Sequence, residues 1–370
     1  MAQHRSGRAI SRAGWGHPLR WLVGTAISIA LLYLAVRGIS GEGVDWRNAW
    51  QTIIGADLPL LGLALFAVIL ATWLKAVRWR FMFYPHHRRL HTGAFFAIFF
   101  IGQVVNAVIP ARLGEVVRAV LIGERERVSK AQALWTAVVE KVLDTLTLLV
   151  FLGVLSLWVP LPSWLQQARW TLSAGVAVVI AVLIVASCHR ERFLGWLERW
   201  ASRQQESSRA SSWSSRLVTL VRAVLDSLSL MRRPALFGGL MFWSLLAFMV
   251  AAWANWLTGR ALGIEISYGA GLLVLAVLQI SAVVPIPTSP GRVGLFHYLC
   301  VLSLAIFQVP GDQALTYGLV LHLVTYLPMA IGGPLGLWVQ SYRWSDISRW
   351  LDADASSLAH DPEGSSTLSL

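Results

Sequence analysis

Ionisable side chains are concentrated in two neighbouring apolar stretches of the sequence. The first stretch contains a polar set around a proline and a glycine: Asn106, Pro110, Arg112, Gly114, Glu115 and Arg118. The second stretch contains Glu140, Lys141 and Asp144. A charged group inside a bilayer costs about 2.5–3.5 kcal/mol on insertion scales, so such groups are usually paired or functional. Planar guanidinium groups match phosphate oxygens in pairs, which predicts a phosphate site at Arg112 and Arg118, with Asn106 and Glu115 beside it.

The spacing of the acids indicates how they are arranged. Glu140 and Asp144 are four residues apart, so on a helix their carboxylates share one face. Two adjacent carboxylates repel each other in a low dielectric unless a cation lies between them, and we expect Arg112 and Arg118 to supply it. Two interpretations stay open. Either the charges only neutralise one another and hold two segments together, or the arginines bind a lipid phosphate while the acids compensate or contact a cationic headgroup.

A second polar set follows another group of prolines. It consists of Pro287, Pro290, Gly291, Arg292, Gly294 and His297. A helix beginning near Gly291 would direct its N-terminal amides into the break, which suits an anion, and Arg292 would add positive charge there. His297, together with His322 in the last apolar segment, titrates near neutral pH in its ordinary state. Proton coupling is one interpretation of these histidines, and hydrogen-bonded packing is the other.

The composition identifies the environment of these groups. Of 370 residues, 56% are hydrophobic and 14% are charged, and the net charge is +12. Soluble domains carry about 25% charged residues, so this composition predicts a membrane protein. The cations are almost all arginines placed between long apolar runs rather than in one solvated patch. The membrane surface is therefore the expected partner, and nucleic acid is not.

Cysteine usage and motifs give no sign of a cofactor. Cys188 and Cys300 both lie in apolar segments, which argues against a disulfide framework, and neither has neighbours at metal-ligand spacing. The sequence contains no GxxxxGK[ST] motif, so we expect no intrinsic nucleotide motor. We expect no cofactor, no metal and no catalytic residue set, and any transport by this chain alone would be facilitated or coupled to an ion.

Eight apolar segments are candidates for crossing the bilayer, which requires about 20 residues of helix. They are residues 21–36, 58–74, 93–122, 131–158, 170–188, 234–258, 268–309 and 315–340. Two of them are interrupted by proline and glycine, which open the backbone. Open backbone survives in a bilayer only when it is buried in protein or lines a wet cavity. We expect Pro110 and Gly114 to be the hinge of one interruption, and Pro287, Pro290, Gly291 and Gly294 that of the other.

The distribution of Lys and Arg predicts the orientation. If 93–122 enters and returns on the same side, 23 of the 31 cations fall on one side and 4 on the other. The remaining four are Arg112, Arg118, Lys141 and Arg292. For 268–309, a hairpin and two crossings both return the chain to the same side, so the charge count leaves that choice open. Both termini are then cytoplasmic, in a bacterial-type plasma membrane.

The order of segments predicts two related halves. Helix 58–74, broken segment 93–122 and helix 131–158 form one triplet. Helix 234–258, broken segment 268–309 and helix 315–340 form another, which starts from the opposite side. Such an inverted repeat with paired interruptions is typical of transporters. The expected fold is an all-α integral membrane protein with about six full spans and two broken or re-entrant hairpins.

The expected division of the chain follows from the same segments. A basic cytoplasmic N-terminus (1–20) precedes a polytopic membrane domain (21–340). That domain contains a cytoplasmic connector (189–233), whose first part has the composition of an interfacial helix. A disordered cytoplasmic tail (341–370) follows.

The residues that carry these patterns resemble a known family. The run from Asn106 to Arg118, the sequence around Glu140 to Asp144 and the run from Pro287 to Gly294 are similar, in order and spacing, to the transmembrane flippase domain of lysylphosphatidylglycerol synthase/flippase proteins. The resemblance covers most of residues 20–340. Relatives commonly have Arg in place of Lys141 and often Glu in place of His297. The resemblance implies the flippase part of the family without its soluble aminoacyl transferase domain.

The leading hypothesis is therefore a multi-pass protein that moves a phospholipid or lipid-linked headgroup between leaflets through a polar intramembrane cavity. Anionic or lipid-linked headgroups are its expected partners. Two alternatives stay open. One is a membrane enzyme or enzyme subunit acting on polyprenyl- or phospholipid-linked substrates, in which Glu140, Asp144 or His297 would be the general base. The other is a structural partner that assembles with a membrane enzyme or with a second copy of itself.

Overall fold

The computed structural model describes residues 16–37, 45–109, 113–157, 162–188, 195, 199, 234–283 and 289–346. Within these residues all regular structure is helical. The helices are α1 (Gly16–Arg37), α2 (Trp46–Ile54), α3 (Leu58–Phe81), α4 (Thr92–Val108), α5 (Gly114–Glu126), α6 (Lys130–Leu155), α7 (Ser163–Cys188), α8 (Pro234–Ala261), α9 (Tyr268–Val283), α10 (Val293–Ala305) and α11 (Gly311–Val339). Short 3₁₀ turns lie at His86–Arg89 and Pro290–Arg292.

Several helices have the length and apolar composition of membrane spans. Those long and apolar enough to cross a bilayer are Leu58–Phe81, Ala235–Ala261 and Gly311–Val339. Helix α6 has 26 residues but carries the three charged side chains of the second polar stretch. Helices α4 and α9, with 17 and 16 residues, are apolar but shorter than a full crossing. The all-helical membrane class predicted from composition is confirmed.

Helix α3 is longer than the hydropathy pattern predicted. The side chain of Asp57 caps its N-terminus by accepting a hydrogen bond from the amide of Leu60 at 3.0 Å. No proline or glycine follows Gly62 until Pro85, so nothing breaks the helix at residue 74, where the predicted span ended. The prediction that residues 75–92 form a loop was therefore wrong in its first part, because the helix continues to Phe81.

Helices α4 and α5 form a helical hairpin around the first interruption. At its open end the imidazole Nδ1 of His91 lies 3.3 Å from a carboxylate oxygen of Glu126. At its closed end a Cβ on Gly114 would overlap the carbonyl oxygen of Gly102, so the two backbones touch where the chain turns back. The interruption predicted in 93–122 is confirmed, but Pro110 and Arg112 lie outside the described residues.

Helices α9 and α10 flank the second interruption. Helix α9 has 16 residues and ends at Val283. Helix α10 begins at Val293 and has 13 residues. Gly291 and Arg292 have φ values of 66° and 57°, so two successive residues adopt the left-handed conformation and reverse the chain. Gly294 packs directly on the backbone of Ser28 in α1, where any Cβ would overlap the Ser28 carbonyl oxygen. Pro287 lies outside the described residues.

The two triplets pack against each other through their first helices, α3 and α8. The ring of Phe81 stacks on that of Trp243, and at the other end of the pair the amide of Asp57 donates to the carbonyl of Ala261 at 2.8 Å. The helices therefore run antiparallel. Other contacts occur in matching pairs: α4 packs on α11 as α9 packs on α6, and α5 packs on α6 as α10 packs on α11.

The α4–α11 contact brings the two interruptions to the same level. Cβ atoms on Gly336 and Gly333 would collide with the Ala97 carbonyl and the Val104 side chain, respectively, so the two helices are antiparallel and very close. Moving back along α11 from Gly333 therefore leads towards the C-terminal end of α4. The turn Pro290–Arg292 packs on both α4 and α10, and its Gly291 carbonyl contacts His322 of α11. The second break consequently lies beside the end of α4 where the first break begins.

Several predicted regions fall largely outside the described residues. These are the N-terminal segment 1–20 before residue 16, the connector 189–233 except for the helical residues 195 and 199, and the tail 341–370 after residue 346. Helix α2 was not predicted. It lies between the first two candidate segments, 21–36 and 58–74, where the sequence has no long apolar run.

Candidate functional site

Arg78, which lies beyond the predicted apolar segment 58–74, is the centre of the charge cluster. Arg78 of α3 has no solvent exposure. Its Nη1 donates to Asp144 Oδ1 at 2.6 Å and to Ser244 Oγ at 2.7 Å. Its Nη2 lies 3.6 Å from Glu140 Oε1. One guanidinium thus joins α3 to both acids of α6 and to the first helix of the other triplet.

Arg118 occupies the other side of Glu140. Its Nη2 donates to Glu140 Oε2 at 2.8 Å. The guanidinium carbon lies 4.3 Å from the ring centroid of Trp79 and 4.1 Å from that of Phe99, so two aromatic faces hold it by cation–π contact. Gly102 makes room for it, because a Cβ there would lie 2.5 Å from Arg118 Cγ and Cδ. The Arg118 Nε is buried and has no hydrogen-bond acceptor among the described residues.

A second ion pair lies towards the surface of the cluster. Lys141 Nζ is 3.0 Å from Glu115 Oε1, and the Lys141 side chain is 59% exposed. Asn106 connects this pair to the hairpin: its Nδ2 donates to Glu115 Oε2 at 3.2 Å, and its Oδ1 accepts from the Gly114 amide at 2.8 Å. Asn106 therefore satisfies a backbone donor at the start of α5, where no helical partner exists.

Four cations and three acids interact in this cluster, since Lys75 of α3 lies within electrostatic range of Asp144 and Glu140 in addition to the ion-paired groups. Three cations, Arg78, Arg118 and Lys141, contact three acids, Glu115, Glu140 and Asp144. Some N–H donors of the arginines nevertheless have no acceptor. The Nε and Nη2 atoms of Arg78 and the Nε of Arg118 are buried without an acceptor in this part of the chain. Buried donors of this kind suit an oxygen-rich anion or ordered water.

The predicted pairing of the acids is partly corrected by this geometry. Glu140 and Asp144 share one helix face, and Arg118 contacts Glu140, as expected. The cation that contacts Asp144 is Arg78, and Arg118 contacts only Glu140. Arg112 lies outside the described residues, so its part in the expected pairing stays a prediction. The sequence contains no helix breaker between Gly62 and Pro85, and this feature could have predicted that Arg78 lies in the helix.

The second interruption carries its own polar cluster. Arg292 Nη2 donates to Ser281 Oγ at 2.6 Å. His322 Nε2 contacts the Gly291 carbonyl at 3.0 Å, and His297 Nδ1 contacts the Val293 carbonyl. The imidazole centroids of the two histidines are 5.2 Å apart. The structure thus brings Arg292, His297 and His322 together at the turn formed by Pro290 and Gly291, apart from the acids of α6.

Metal binding has no support in the part of the chain that the structure describes. There, no group of three or more His, Cys, Asp or Glu side chains is placed to hold an ion. Cys300 is a fully buried free thiol in α10.

Comparison with known proteins matches this architecture to one family. The model of the lysylphosphatidylglycerol synthase TM region matches residues 21–333. Among curated proteins, the chain is similar to glycosyltransferase AglD of Haloferax volcanii, with 24% identity over 308 residues that cover 76% of this chain and 49% of that protein. The chain therefore spans about half the length of this relative. No solved structure matches the chain significantly.

Proposed function

The chain belongs to the lysylphosphatidylglycerol synthase TM-region family, and we propose that it moves a phospholipid or a lipid-linked headgroup between the leaflets of a membrane. The observation that carries the proposal is the buried charge cluster of α3, α5 and α6 beside two helix interruptions that meet at the end of α4. Paired interruptions of this kind are the sequence feature that most often marks a transporter's binding site.

The proposed membrane arrangement has six full spans, α1, α3, α6, α7, α8 and α11, and two re-entrant hairpins, α4–α5 and α9–α10. It is supported by hairpin arms of 17, 13, 16 and 13 residues, each shorter than the roughly 20 residues of a crossing. The antiparallel packing of α3 and α8 supports an inverted repeat. Lys75, Arg78 and Arg80 lie in α3 rather than in a loop, which leaves 20 cations on the proposed cytoplasmic side against 4 on the other. Both termini are then cytoplasmic in a bacterial-type plasma membrane.

The cluster lowers the free energy of a phosphate at membrane depth. A phosphate that leaves water for hydrocarbon loses its hydration, and this loss is the main barrier to spontaneous movement between leaflets. The buried Nε of Arg118 and the donors of Arg78 offer replacement hydrogen bonds. The acids offset the charge of the arginines in the empty site, which limits the net positive charge that the protein buries without a ligand. Acyl chains remain in the lipid while the headgroup passes between the hairpins.

Purified protein in liposomes tests the proposal. Fluorescent lipids with anionic, zwitterionic and lipid-linked sugar headgroups are followed by dithionite quenching. We expect movement of at least one lipid class, a large loss in Arg118→Gln and a partial loss in Arg118→Lys, because an ammonium lacks the paired planar donors. Arg125→Gln, on the exposed end of α5, is the matched control and should retain the parental rate.

Two outcomes would contradict the proposal. One is the absence of movement for every headgroup by folded parental protein. The other is a parental rate in Arg118→Gln protein that elutes as a single folded species. The latter outcome is what a purely structural membrane partner predicts.

An enzyme or enzyme subunit acting on lipid-linked substrates is the second candidate, and the similarity to glycosyltransferase AglD favours it. The geometry argues against Glu140 as the general base of such an enzyme. A general base must be free to accept a proton, whereas Glu140 is held between Arg78 and Arg118. Incubation of the purified chain with nucleotide sugars and polyprenyl phosphate tests this candidate, and product formation that is lost in Glu140→Gln would establish it.

A further inference from the structure

A further arginine of α3, Arg80, lies outside the charge cluster. Arg78 and Arg80 are two residues apart, which turns their side chains about 200° from each other around a helix. Arg80 Nη1 donates to Thr92 Oγ1 of α4 at 2.5 Å, and its guanidinium carbon lies 5.5 Å from the ring centroid of Phe81. Among the described residues, no carboxylate forms an ion pair with Arg80. Its charge is therefore held by a hydroxyl and a ring, not by an acid.

The contacts of Arg80 leave one edge of its guanidinium unused. The Nε atom is buried and has no acceptor in the part of the chain that the structure describes, and Nη2 makes no hydrogen bond there. Nε and Nη2 together form the side edge of the group, whose two parallel N–H bonds match two oxygens of a phosphate. A buried N–H without an acceptor is costly, so this edge suits an oxyanion.

His87 is a second buried polar group in the same corner. Its side chain is 9% exposed, and its Nδ1 is buried with no hydrogen-bond partner among the described residues. The imidazole packs beside the rings of Phe81 and Tyr84, at centroid distances of 5.1 and 5.6 Å, so Phe81 lies next to both the imidazole and the Arg80 guanidinium. Burial, and then the positive charges of Arg80 and Arg88, lower the pKa of His87. The imidazole is therefore neutral at pH 7, and an anion beside it would offset the surrounding charge.

The position of this corner adds to its preference for an anion. Thr92 is the first residue of α4, so Arg80 lies at the positive end of that helix dipole. The arginines of the 3₁₀ turn are exposed and add positive charge, whereas the acid at the start of the hairpin, Glu126, already lies against His91. In the membrane arrangement proposed above, the C-terminal end of α3 lies at the bilayer surface, which is the level of lipid phosphates.

We propose that Arg80 and His87 bind the phosphate of an anionic phospholipid at the corner between α3 and α4. The phosphate oxygens accept from Nε and Nη2 of Arg80, and His87 Nδ1 supplies a further donor. Because Arg80 is already bonded to Thr92, the bound phosphate fastens the 3₁₀ turn to both helices. This lipid stays at the membrane surface, apart from the headgroup that the charge cluster is proposed to move.

Hydrogen–deuterium exchange of the backbone at residues 84–93 measures occupancy of this corner without any need for lipid movement. Protein in nanodiscs of phosphatidylglycerol is compared with protein in nanodiscs of phosphatidylcholine, which carries no net charge. We expect exchange to be at least about threefold slower in phosphatidylglycerol, because a bound ligand opposes local opening. Inorganic phosphate is added to the neutral nanodiscs, against sodium chloride of equal ionic strength, and should slow exchange little. Equal slowing by the free ion would overturn the assignment to a lipid.

Substitutions of Arg80 distinguish a phosphate site from a general attraction of basic residues to an anionic surface. Arg80→Gln keeps a donor for Thr92 but removes the paired edge, so it should abolish the difference between the two lipids. Arg80→Lys should keep only part of it, because an ammonium lacks the paired planar donors. Arg89→Gln, exposed in the same turn, loses the same charge and should keep the full difference. Equal exchange in the two lipids for parental protein, an unchanged difference in folded Arg80→Gln, or an equal loss in Arg89→Gln would overturn the proposal.

A variant of the charge cluster separates this site from the proposed transport. Arg118→Gln should keep the slower exchange of residues 84–93 in phosphatidylglycerol, even where it loses lipid movement. Loss of the slowing in folded Arg118→Gln would assign it to the charge cluster and overturn the proposal. If Arg80→Gln does not fold, His87→Phe decides, because it keeps the ring packing on Phe81 and Tyr84 but removes Nδ1, and it should weaken the slowing.

Discussion

Arg78 and Arg118 are both buried in the same charge cluster, but their contacts differ in kind. Arg78 contacts two acids and a serine on two further helices, and no part of it reaches solvent. Arg118 contacts one acid and lies between two aromatic rings. Arg78 therefore connects three helices and also keeps buried donors, whereas Arg118 is held by one acid and two rings and keeps its Nε for a ligand.

Removing Arg78 alone should destabilise the protein strongly. Arg78→Met removes the buried guanidinium that contacts Asp144 and Glu140, and breaking a buried ion pair costs about 3–5 kcal/mol in comparable cases. The double variant Arg78→Met, Asp144→Leu should recover much of that loss, because apolar side chains replace the pair. Thermal unfolding in detergent, followed by size-exclusion chromatography, measures both, with exposed Arg88→Met as the matched control. Equal stability of the single variant and the parent would contradict the structural role.

Gly102 provides a steric test of the Arg118 position. Gly102→Ala would place a methyl group 2.5 Å from two carbons of Arg118, so that side chain must move away from Trp79 and Phe99. We expect lower thermal stability and slower lipid movement. Gly93→Ala, on the same helix with no atom near its Cβ, is the matched control and should gain up to about 1 kcal/mol from helix propensity. Identical effects of the two substitutions would contradict the packing described.

At this scale the sequence predicted which residue types form the cluster, but only part of their pairing. The four-residue spacing of Glu140 and Asp144 was sufficient to place both on one face. The partner of Asp144 could not be predicted, because it depends on how α3 crosses α6 and on a helix end seven residues beyond the apolar run.

The α4–α5 element makes a direct prediction about sidedness. If it is a hairpin, single cysteines at the exposed positions Arg88 and Arg125 react from the same side of the membrane, and one at Glu265 reacts from the other. If residues 93–122 crossed once, Arg88 and Arg125 would react from opposite sides. A membrane-impermeant maleimide applied to right-side-out and inside-out vesicles distinguishes the two arrangements.

Helix α2 is an amphipathic element whose apolar face has no protein partner among the described residues. Its large side chains at four-residue spacing, Trp46, Trp50 and Ile54, are 58%, 63% and 69% exposed. Its polar face is tied to α11 by a hydrogen bond of 2.9 Å from Asn48 to Asp312. We expect the apolar face to lie in the lipid headgroup region. An environment-sensitive dye on Ile54→Cys should emit at a shorter wavelength than the same dye on Arg47→Cys, and equal emission would contradict this placement.

The hydropathy pattern predicts long apolar helices but not short amphipathic ones. Continuous apolar runs predicted where the long apolar helices lie, and proline and glycine predicted both interruptions, because these residues break helices. A nine-residue amphipathic helix such as α2 has no such run, although its Asp45 cap and its apolar spacing of four were visible in the sequence.

At the scale of the whole molecule, the antiparallel packing of α3 on α8 joins the two halves. Cysteines at Phe81 and Trp243, whose rings are 6.1 Å apart and stacked, should form a disulfide on mild oxidation. Cysteines at Phe81 and Leu257 should not, since fourteen residues of helix separate Leu257 from Trp243 by about 21 Å. Mobility on non-reducing gels measures both pairs, and cross-linking of the second pair alone would mean that the halves are parallel.

The antiparallel packing of α3 on α8 agrees with the order of the segments and their charges, but the position of the turn Pro290–Arg292 beside α4 could not be predicted. It depends on the glycine-lined contact between α4 and α11, and glycine carries no hydropathy or charge signal that would identify its partner helix. Small residues let helix backbones approach closely, so this contact is decided by shape alone.

Those glycines determine a dimension of the molecule. At Gly332, Gly333 and Gly336 the backbone of α11 lies against the Phe100 ring, the Val104 side chain and the Ala97 carbonyl of α4, respectively. The distance between α4 and α11 therefore depends on the absence of a side chain at these three positions. Replacing one glycine by alanine would push the two helices apart without changing any charge, so the spacing of these helices and the charge of the cluster are set by separate residues.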